Sequence, residues 1–147
     1  MYSKMKKIIL IITSFIAISF LIILPQKSSN DIEEISVVLS SDKNYALGLT
    51  VTLASILKNA NNKDKLTFYI LEKNIPEFYK KKIASLQTIK PFKITYIDMT
   101  KKTIIPSHLS KPTYYRYFLG DLFPHHEKII YLDSDLYVFK SLSSLWK

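Results

Sequence analysis

The sequence predicts an α/β fold, with a mostly parallel sheet that is covered by helices on both faces. Hydrophobic residues make up 48% of the chain and charged residues 22%, a balance typical of a globular domain. Runs rich in β-branched and aromatic residues alternate with helix-length segments, which is the pattern of parallel sheets. The predicted strands are Glu34–Ser40, Lys65–Leu71, Phe92–Asp98 and the stretch Lys128–Phe139.

Two longer helices are predicted between these strands. The first, Tyr45–Ala60, is mostly apolar, so we expect it to be well covered. The second is predicted to begin at Asn74 as the N-cap and to continue to about Thr88. Pro76 in its first turn and Glu77 three residues after the cap are typical of a helix start.

A loop and a short helix are predicted before the fourth strand. Residues 99–112 show no helical or strand periodicity and are therefore predicted to form a loop. The segment Thr113–Phe123 is predicted to be a short helix that is ended by Gly120 and Pro124, because glycine favours helix ends and proline cannot continue a helix.

The N-terminus carries an apolar segment outside the predicted globular domain. Residues 8–24 are 17 uncharged residues preceded by three lysines, and as a helix they would span about 25 Å. No small-residue cleavage site follows, which favours a retained transmembrane anchor over a cleaved signal peptide. The predicted order is a basic tail (1–7), an anchor (8–24), a linker (25–34) and a domain (35–147). Lysines before the anchor and acids after it predict a single-pass membrane protein with a cytosolic N-terminus.

Composition excludes several functional classes. The chain has no cysteine, so disulfides, zinc–thiolate sites, iron–sulfur clusters and a cysteine nucleophile are excluded. The net charge of +9 favours anionic ligands. No arginine-rich arm or basic–aromatic repeat indicates a nucleic-acid partner. His108, His125 and His126 lie in predicted loops, where we expect exposed side chains and not metal ligands.

Asp133 and Asp135 interrupt an apolar stretch directly after the Ile-Ile-Tyr-Leu run. On an extended segment both carboxylates would lie on one side, with Ser134 opposite. Two poorly solvated carboxylates repel each other unless a hard divalent cation, such as Mg²⁺ or Mn²⁺, binds both. The alternative is an ordinary turn, for which Asp-Ser-Asp is equally suited.

Further polar residues could serve the same site. Asp42 and Asn44 follow the first strand and could bind a ribose or base edge, or cap the next helix, and the two roles are compatible. Arg116 is the one arginine and lies among tyrosines; its planar group suits hydroxyl or phosphate, and a surface arginine is the alternative. With two glycines in the chain, no glycine-rich loop can hold a diphosphate, so a metal would have to carry that charge.

Three segments together resemble glycosyltransferase family 8, whose members are retaining enzymes of the GT-A, Rossmann-like fold. They are related to bacterial lipopolysaccharide galactosyl- and glucosyltransferases and to glycogenin. The segments are VVLSSDKNYALGLTVTLASILKNA, PTYYRYFLGDLFPHHEKIIYLDSDLYVF and SLSSLW, and the resemblance covers most of residues 35–147.

The resemblance implies metal-dependent transfer of a hexose from a UDP-sugar to a glycan or lipid-linked acceptor, with retention of configuration. Asp133 and Asp135 match the family's D-x-D motif, which binds Mn²⁺ (or Mg²⁺) and through it the diphosphate of the donor. The metal acts in the family as a Lewis acid that stabilises the leaving UDP. No catalytic residue is assigned.

The resemblance also implies roles for residues in the other two segments. Asp42, Asn44 and Tyr45 match positions that contact uracil and ribose, and Arg116 matches an arginine that reaches the donor sugar. Family members continue beyond the D-x-D strand for a comparable length, so we expect a truncated, N-terminal donor-binding half with weak or no activity alone.

Two alternative functions are compatible with the same residues. One is a membrane-anchored, non-catalytic remnant or nucleotide-binding fragment. The other is a phosphatase of the haloacid dehalogenase type, although Tyr137 stands where that class normally has threonine or valine.

Overall fold

One parallel sheet organises the protein, as a computed structural model of the chain shows for residues 34–100 and 114–147. Its strands in chain order are Glu34–Asp42 (β1), Lys65–Lys73 (β2), Phe92–Asp98 (β3) and Ile130–Leu132 (β4). They lie in the order β3-β2-β1-β4, and each neighbouring pair is parallel. The predicted α/β class with a parallel sheet is therefore confirmed.

The strand order reverses between β1 and β4. From β1 the chain moves outward through β2 to β3, and β4 then returns to the other side of β1. Leu39 of β1 pairs with Leu132 of β4, close to the carboxyl end of each strand. In open parallel sheets, the crevice at such a reversal is where ligands bind.

Helices follow the strands. Their bounds are Ala46–Asn59 (α1), Glu77–Ser85 (α2), Leu119–Leu122 (α3) and Ser143–Trp146 (α4). Two short 3-10 helices, Leu86–Thr88 and Tyr115–Phe118, directly follow α2 and directly precede α3.

Apolar residues form two buried clusters on opposite faces of the sheet. Ile35, Val37 and Leu39 of β1 join the larger cluster, which contains the buried residues of α1 and α4. Val38 points to the smaller cluster, which it forms with Leu71, Met99, Tyr115 and Phe123. Burial of each such side chain contributes about 1.5–3 kcal/mol relative to exposure. Both faces of β1 are therefore covered, as predicted for a buried strand.

The predicted start of the second helix at Asn74 is wrong. Asn74 has a φ of 56°, in the left-handed region, and α2 begins at Glu77 after Pro76. The Oε2 atom of Glu72 accepts the backbone N–H of Ile75 at 2.9 Å, so a β2 side chain fixes the turn before the helix. Asparagine tolerates this backbone conformation better than most residues do.

The short helix predicted over Thr113–Phe123 is present, but the role of Gly120 in ending it and the predicted end of the fourth strand are wrong. Gly120 lies inside α3, which ends at Leu122, and it does not adopt the positive φ of a helix-ending glycine. The fourth strand ends at Leu132 and does not continue to Phe139, because a turn follows it directly.

The predicted tail, anchor and nearly all of the predicted linker, residues 1–33, lie outside the described residues, as does His108 in the predicted loop. Among the helices in the described ranges, none combines the length and the apolar character needed to cross a membrane.

Candidate functional site

Polar side chains follow β1 and β4 at the carboxyl edge of the sheet. β1 ends at Asp42, and a turn through Asn44 and Tyr45 leads from it into α1. β4 ends at Leu132, and Asp133 is the next residue. Because β1 and β4 pair in parallel, both segments leave the sheet at the same edge, beside the reversal of strand order.

The Asp42 carboxylate organises the turn into α1. Its Oδ1 atom accepts the backbone N–H groups of Asn44 at 2.8 Å and of Tyr45 at 3.3 Å. These two bonds form a side-chain-stabilised turn and occupy one carboxylate oxygen. The predicted capping role is wrong, because the N-cap of α1 is Tyr45 and no side-chain hydrogen bond among the described residues caps the helix. The side chain of Asn44 and the ring of Tyr45 are exposed, so both are accessible to a ligand.

The Asp-Ser-Asp segment forms a turn, so the extended conformation predicted for it is wrong. Ser134 and Asp135 lie in the turn, for which these residue types are well suited. Ser134 is buried, whereas Asp133 and Asp135 are both exposed. Ser134 therefore faces the protein, and the two carboxylates are open to solvent, as a metal bound together with a substrate would require.

Arg116 reaches this segment from the 3-10 helix before α3. Its Nη2 atom lies 3.4 Å from Oδ1 of Asp133, and its Cζ atom lies 5.4 Å from the centroid of the Tyr131 ring. The Tyr131 hydroxyl lies 2.7 Å from Oγ of Ser40, in β1. These contacts connect Arg116 and Asp133 to the two strands that flank the reversal.

Tyr131 is a neutral hydrogen-bonding group at this position. Burial raises the pKa of its hydroxyl above the ordinary value of 10, and the Asp133 carboxylate raises it further. The hydrogen bond with Ser40 and the Arg116 guanidinium act in the opposite direction on this pKa. The hydroxyl therefore keeps its proton at neutral pH.

Helix α1 presents a polar stripe to the segment after β4. The stripe consists of the polar residues Thr52, Ser55 and Asn59, with Gly48 at its N-terminal end. Their spacing places all four on one face of the helix. The Oγ atom of Ser55 accepts the N–H of Val138 at 3.0 Å, and Nδ2 of Asn59 donates to the Val138 carbonyl at 2.9 Å. Side chains of α1 thus bind backbone groups that lie beyond the paired residues of β4.

Gly48 allows the stripe to approach the Asp-Ser-Asp turn closely. A Cβ atom at Gly48 would lie 2.9 Å from the Ser134 carbonyl oxygen and 3.6 Å from both Cα and Cβ of Asp135. This role of Gly48 was not predicted, because the sequence of the helix is mostly apolar. The detectable signal was the recurrence of small and polar residues at helical spacing within it.

The carboxylate pair suits a hard divalent cation that is also bound by a substrate. Asp135 makes no hydrogen bond or ion pair with any other residue in the described ranges, so its oxygens are available. Within the same ranges no group of three or more histidine, aspartate and glutamate residues is placed to hold a metal. Mg²⁺ and Mn²⁺ commonly use one or two carboxylates, with water and phosphate oxygens as the other ligands.

The histidines near β4 are exposed, as predicted. His125 and His126 precede the strand, and Nε2 of His126 lies 3.3 Å from the Tyr69 hydroxyl.

A separate groove of about 380 Å³ lies at the opposite edge of the sheet, where Glu34, Lys65 and Phe92 begin their strands. It therefore shares no residue with the polar cluster at the carboxyl edge.

Comparison with known proteins relates the chain to sugar-transferring enzymes. The sequence pattern of glycosyl transferase family 8 matches residues 36–147. The chain is 33% identical over 116 residues to glycosyltransferase GlyD of Streptococcus pneumoniae, covering 76% of this chain and 14% of GlyD. It is 32% identical over 120 residues to lipopolysaccharide 1,2-glucosyltransferase of Escherichia coli, covering 77% of this chain and 34% of that enzyme.

Solved structures give the same relationship. The bifunctional glycosyltransferase WbbM superposes with a TM-score of 0.69 at 27% identity, covering 82% of this chain and 22% of WbbM. Galactosyltransferase LgtC, solved with donor and acceptor sugar analogues, gives a TM-score of 0.60 at 26% identity. That match covers 77% of this chain and 42% of LgtC.

The matched region is an N-terminal part of the family's domain. The chain spans between 14 and 42% of the length of each relative named above. The match nevertheless includes most of β1, all of α1, the Arg116 segment and the Asp-Ser-Asp turn. The chain belongs to glycosyltransferase family 8.

Proposed function

We propose that the chain binds a UDP-sugar and takes part in transferring its hexose, with retention, to a glycan or lipid-linked acceptor. The observation that carries this proposal is the position of the Asp42 and Asp133–Asp135 segments on the two sides of the strand-order reversal. The donor and acceptor sugar analogues bound to LgtC and the word lipopolysaccharide in the name of the Escherichia coli relative support the choice of substrates.

In this proposal Asp133 and Asp135 hold Mn²⁺ or Mg²⁺. The metal would neutralise the diphosphate of the donor and stabilise UDP as the leaving group. The protein supplies two carboxylates on a turn that is packed against α1, and Arg116 stays beside Asp133 through contact with Tyr131. Arg116 then presents its remaining N–H groups to the donor sugar or its phosphate.

The uridine is proposed to bind at the turn before α1. Asp42 offers the carboxylate oxygen that does not take part in the turn, and Asn44 offers both a donor and an acceptor. The exposed ring of Tyr45 supplies a flat apolar surface beside them, which suits a base. The hydrogen-bonding groups would orient the uridine, and the ring would cover its base. Neither contribution requires a glycine-rich loop.

Calorimetric titration with UDP, with and without Mn²⁺, tests the proposal. We expect UDP binding to depend on Mn²⁺. The Asp135→Asn variant should bind UDP at least about tenfold more weakly in the presence of Mn²⁺, because it has lost a charged metal ligand. Asp121→Asn is the matched control, because Asp121 is an exposed aspartate that belongs to α3 and not to the Asp-Ser-Asp turn. Equal Mn²⁺-dependent affinity of the wild type and Asp135→Asn would refute the metal assignment.

A second candidate is nucleotide binding without transfer. The donor set favours it, because the residues described here supply two carboxylates and no further metal-ligand group. Release of UDP from UDP-glucose or UDP-galactose, measured with and without a glycolipid acceptor, separates the two functions. Acceptor-dependent release supports transfer, whereas metal-dependent binding without release supports the second candidate.

We also propose that residues 8–24 anchor the chain in a membrane with the N-terminus in the cytosol. The apolar run and the lysines before it support this proposal. Because the chain has no cysteine, single cysteines at Ser3 and Ser29 can be labelled selectively. We expect an impermeant reagent added outside intact cells to label Ser29→Cys and not Ser3→Cys, and the reverse pattern would refute the orientation.

A further inference from the structure

Thr52 contacts the backbone on both sides of Asp135. Its Oγ1 atom lies 3.0 Å from the Ser134 carbonyl oxygen and 2.7 Å from the Leu136 carbonyl oxygen. The same oxygen accepts the backbone N–H of Leu136 at 3.1 Å. Thr52 is fully buried, so these contacts are shielded from competing water.

The chemistry of a hydroxyl group accounts for this arrangement. A hydroxyl has one proton to donate and two lone pairs to accept with. The Thr52 proton can go to the Leu136 carbonyl or to the Ser134 carbonyl, while a lone pair receives the Leu136 N–H. One side chain therefore fixes the residue before Asp135 and the residue after it.

The backbone contacts of Thr52 matter for Asp135 because no contact of its own side chain among the described residues fixes the carboxylate. In the described ranges its carboxylate makes no hydrogen bond and no ion pair, whereas Asp133 contacts Arg116. The backbone therefore sets the direction of the Cα–Cβ bond of Asp135, and with it the positions that its carboxylate can reach. Gly48, one turn before Thr52 on the same helix face, lets the helix approach close enough for the hydroxyl contacts.

We infer that Thr52 is a positioning residue that orients the Asp135 carboxylate for the divalent metal. The inference rests on the proposed function, in which Asp135 is a metal ligand, and adds a residue of α1 to the metal site. Groups that orient a metal ligand commonly change metal affinity 10–100-fold when they are removed. Thr52 reaches the metal only through Asp135.

The test measures Mn²⁺ affinity in the presence of UDP, by the paramagnetic signal of free Mn²⁺, with the full-length chain in detergent. Thr52→Val keeps the shape of the side chain and removes the hydroxyl, whereas Thr52→Ser keeps the hydroxyl. We expect Mn²⁺ affinity to fall at least about tenfold in Thr52→Val and to change less than about threefold in Thr52→Ser.

Thr50→Val is the matched control. Thr50 is also a buried threonine of α1, but its hydroxyl donates within the helix, to the Ala46 carbonyl at 2.9 Å. We expect Thr50→Val to keep the Mn²⁺ affinity of the wild type. An equal loss in the Thr50 and Thr52 variants would mean that helix stability causes the effect, and this would overturn the inference.

A second measurement does not depend on the metal. Amide hydrogen exchange at Leu136 should accelerate in Thr52→Val and not in Thr50→Val, because only Thr52 accepts that N–H. If Thr52→Val does not fold, Thr52→Ala replaces it in both measurements. Unchanged Leu136 exchange in the folded variant would overturn the inference.

The Asp135→Asn variant separates the inference from the proposed function. If Asp135→Asn binds Mn²⁺ as tightly as the wild type, the proposed metal site is wrong and the inference fails with it. If Asp135→Asn loses affinity while Thr52→Val keeps it, the metal site stands and only the role of Thr52 is refuted. Loss of affinity in both, with Thr50→Val unaffected, supports both.

Discussion

The Nη2 atom of Arg116 lies 3.4 Å from Oδ1 of Asp133, which joins the one arginine of the chain to the first carboxylate of the Asp-Ser-Asp turn. The two side chains are 42% and 55% exposed, so water screens this ion pair. Exposed pairs of this kind contribute about 0–1 kcal/mol to folding. The contact therefore matters more for the site than for stability.

Arg116→Lys should separate binding from folding. Lysine keeps the charge but loses the planar group that lies over Tyr131. We expect the free energy of unfolding to change by less than about 1 kcal/mol and the affinity for UDP-glucose to fall about tenfold. Calorimetry with UDP-glucose and with UDP checks this, because UDP lacks the sugar and should lose less affinity. Equal losses for both ligands would contradict a contact with the sugar.

Gly48→Ala should destabilise the protein, although alanine normally favours a helix. The added Cβ would meet the Ser134 carbonyl at 2.9 Å, which forces the turn or the helix to move. We expect a loss of about 1–3 kcal/mol. The control is Gly120→Ala, where nothing lies within 4 Å of the added Cβ and a gain of about 0.4–1 kcal/mol is expected. Thermal unfolding of both variants measures the difference, and a Gly48→Ala protein as stable as Gly120→Ala would contradict the close approach.

Tyr115→Phe should stabilise the protein. Tyr115 is fully buried, and its hydroxyl has no hydrogen-bond partner in the structure described for residues 34–100 and 114–147. Burial raises the pKa of this hydroxyl, and the Asp42, Asp98 and Glu72 carboxylates add to that effect, so it remains an unpaired neutral group. Its removal should add about 1 kcal/mol to the free energy of unfolding.

The control for Tyr115→Phe is Tyr131→Phe. The Tyr131 hydroxyl does have a partner, because it lies 2.7 Å from Oγ of Ser40. Its removal should therefore cost about 0.5–1.5 kcal/mol. Urea unfolding of the two variants is expected to show opposite signs, and two losses of similar size would show that the Tyr115 hydroxyl is bonded in solution.

Glu34 should make stability depend on pH in the acid range. Its carboxylate accepts hydrogen bonds from the Thr67 hydroxyl and from Nζ of Lys93, and these lower its pKa from the ordinary value of 4.5. Because the folded-state pKa is the lower one, the stabilisation is complete above pH 4.5 and is lost as the pH falls through the folded-state value.

Thermal unfolding between about pH 7 and about pH 3 checks this dependence. In Glu34→Gln the part of the pH dependence that belongs to this carboxylate should disappear. Glu127→Gln is the control, because Glu127 is exposed in the segment before β4. An identical pH profile for the wild type and Glu34→Gln would refute the prediction.

The sheet could be predicted because its central strands are buried on both faces. The bounds predicted for β3 match the structure, and β1 and β2 begin where predicted and extend two residues further. Val37, Val38 and Leu39 are all fully buried although they alternate between faces. Such a continuous apolar run indicates a covered strand without any knowledge of its neighbours.

The end of β4 could not be predicted, because contacts from a distant part of the chain determine it. The residues after Asp135 are apolar and read locally as strand. Their backbone groups instead bind α1 side chains, including Thr52, which lies 84 positions from Leu136. Likewise, the start of α2 depends on Glu72, a β2 residue, through its bond to Ile75.

The residues of the candidate site also fall into two groups: those that could be predicted from the local sequence and those that depend on distant contacts. Asp133 and Asp135 could be proposed from residue type, spacing and position after a strand, since carboxylates are hard metal ligands. The spacing of Gly48 and Thr52 indicates one helix face, but the partner of that face could not be predicted, because the contacts are with a turn more than 80 positions away. The binding roles given to Asp42, Asn44 and Tyr45 stay predictions.

The polar stripe also restricts how the length of α1 can change. Gly48 and Thr52 contact the turn, whereas Ser55 and Asn59 contact Val138 further along the same segment. One residue inserted between Thr52 and Ser55 would rotate the rest of the helix by roughly 100° about its axis. Ser55 and Asn59 would then leave Val138 while Gly48 and Thr52 stayed in place. Related sequences should therefore differ in this helix by substitution, and insertions or deletions should occur outside residues 48–59.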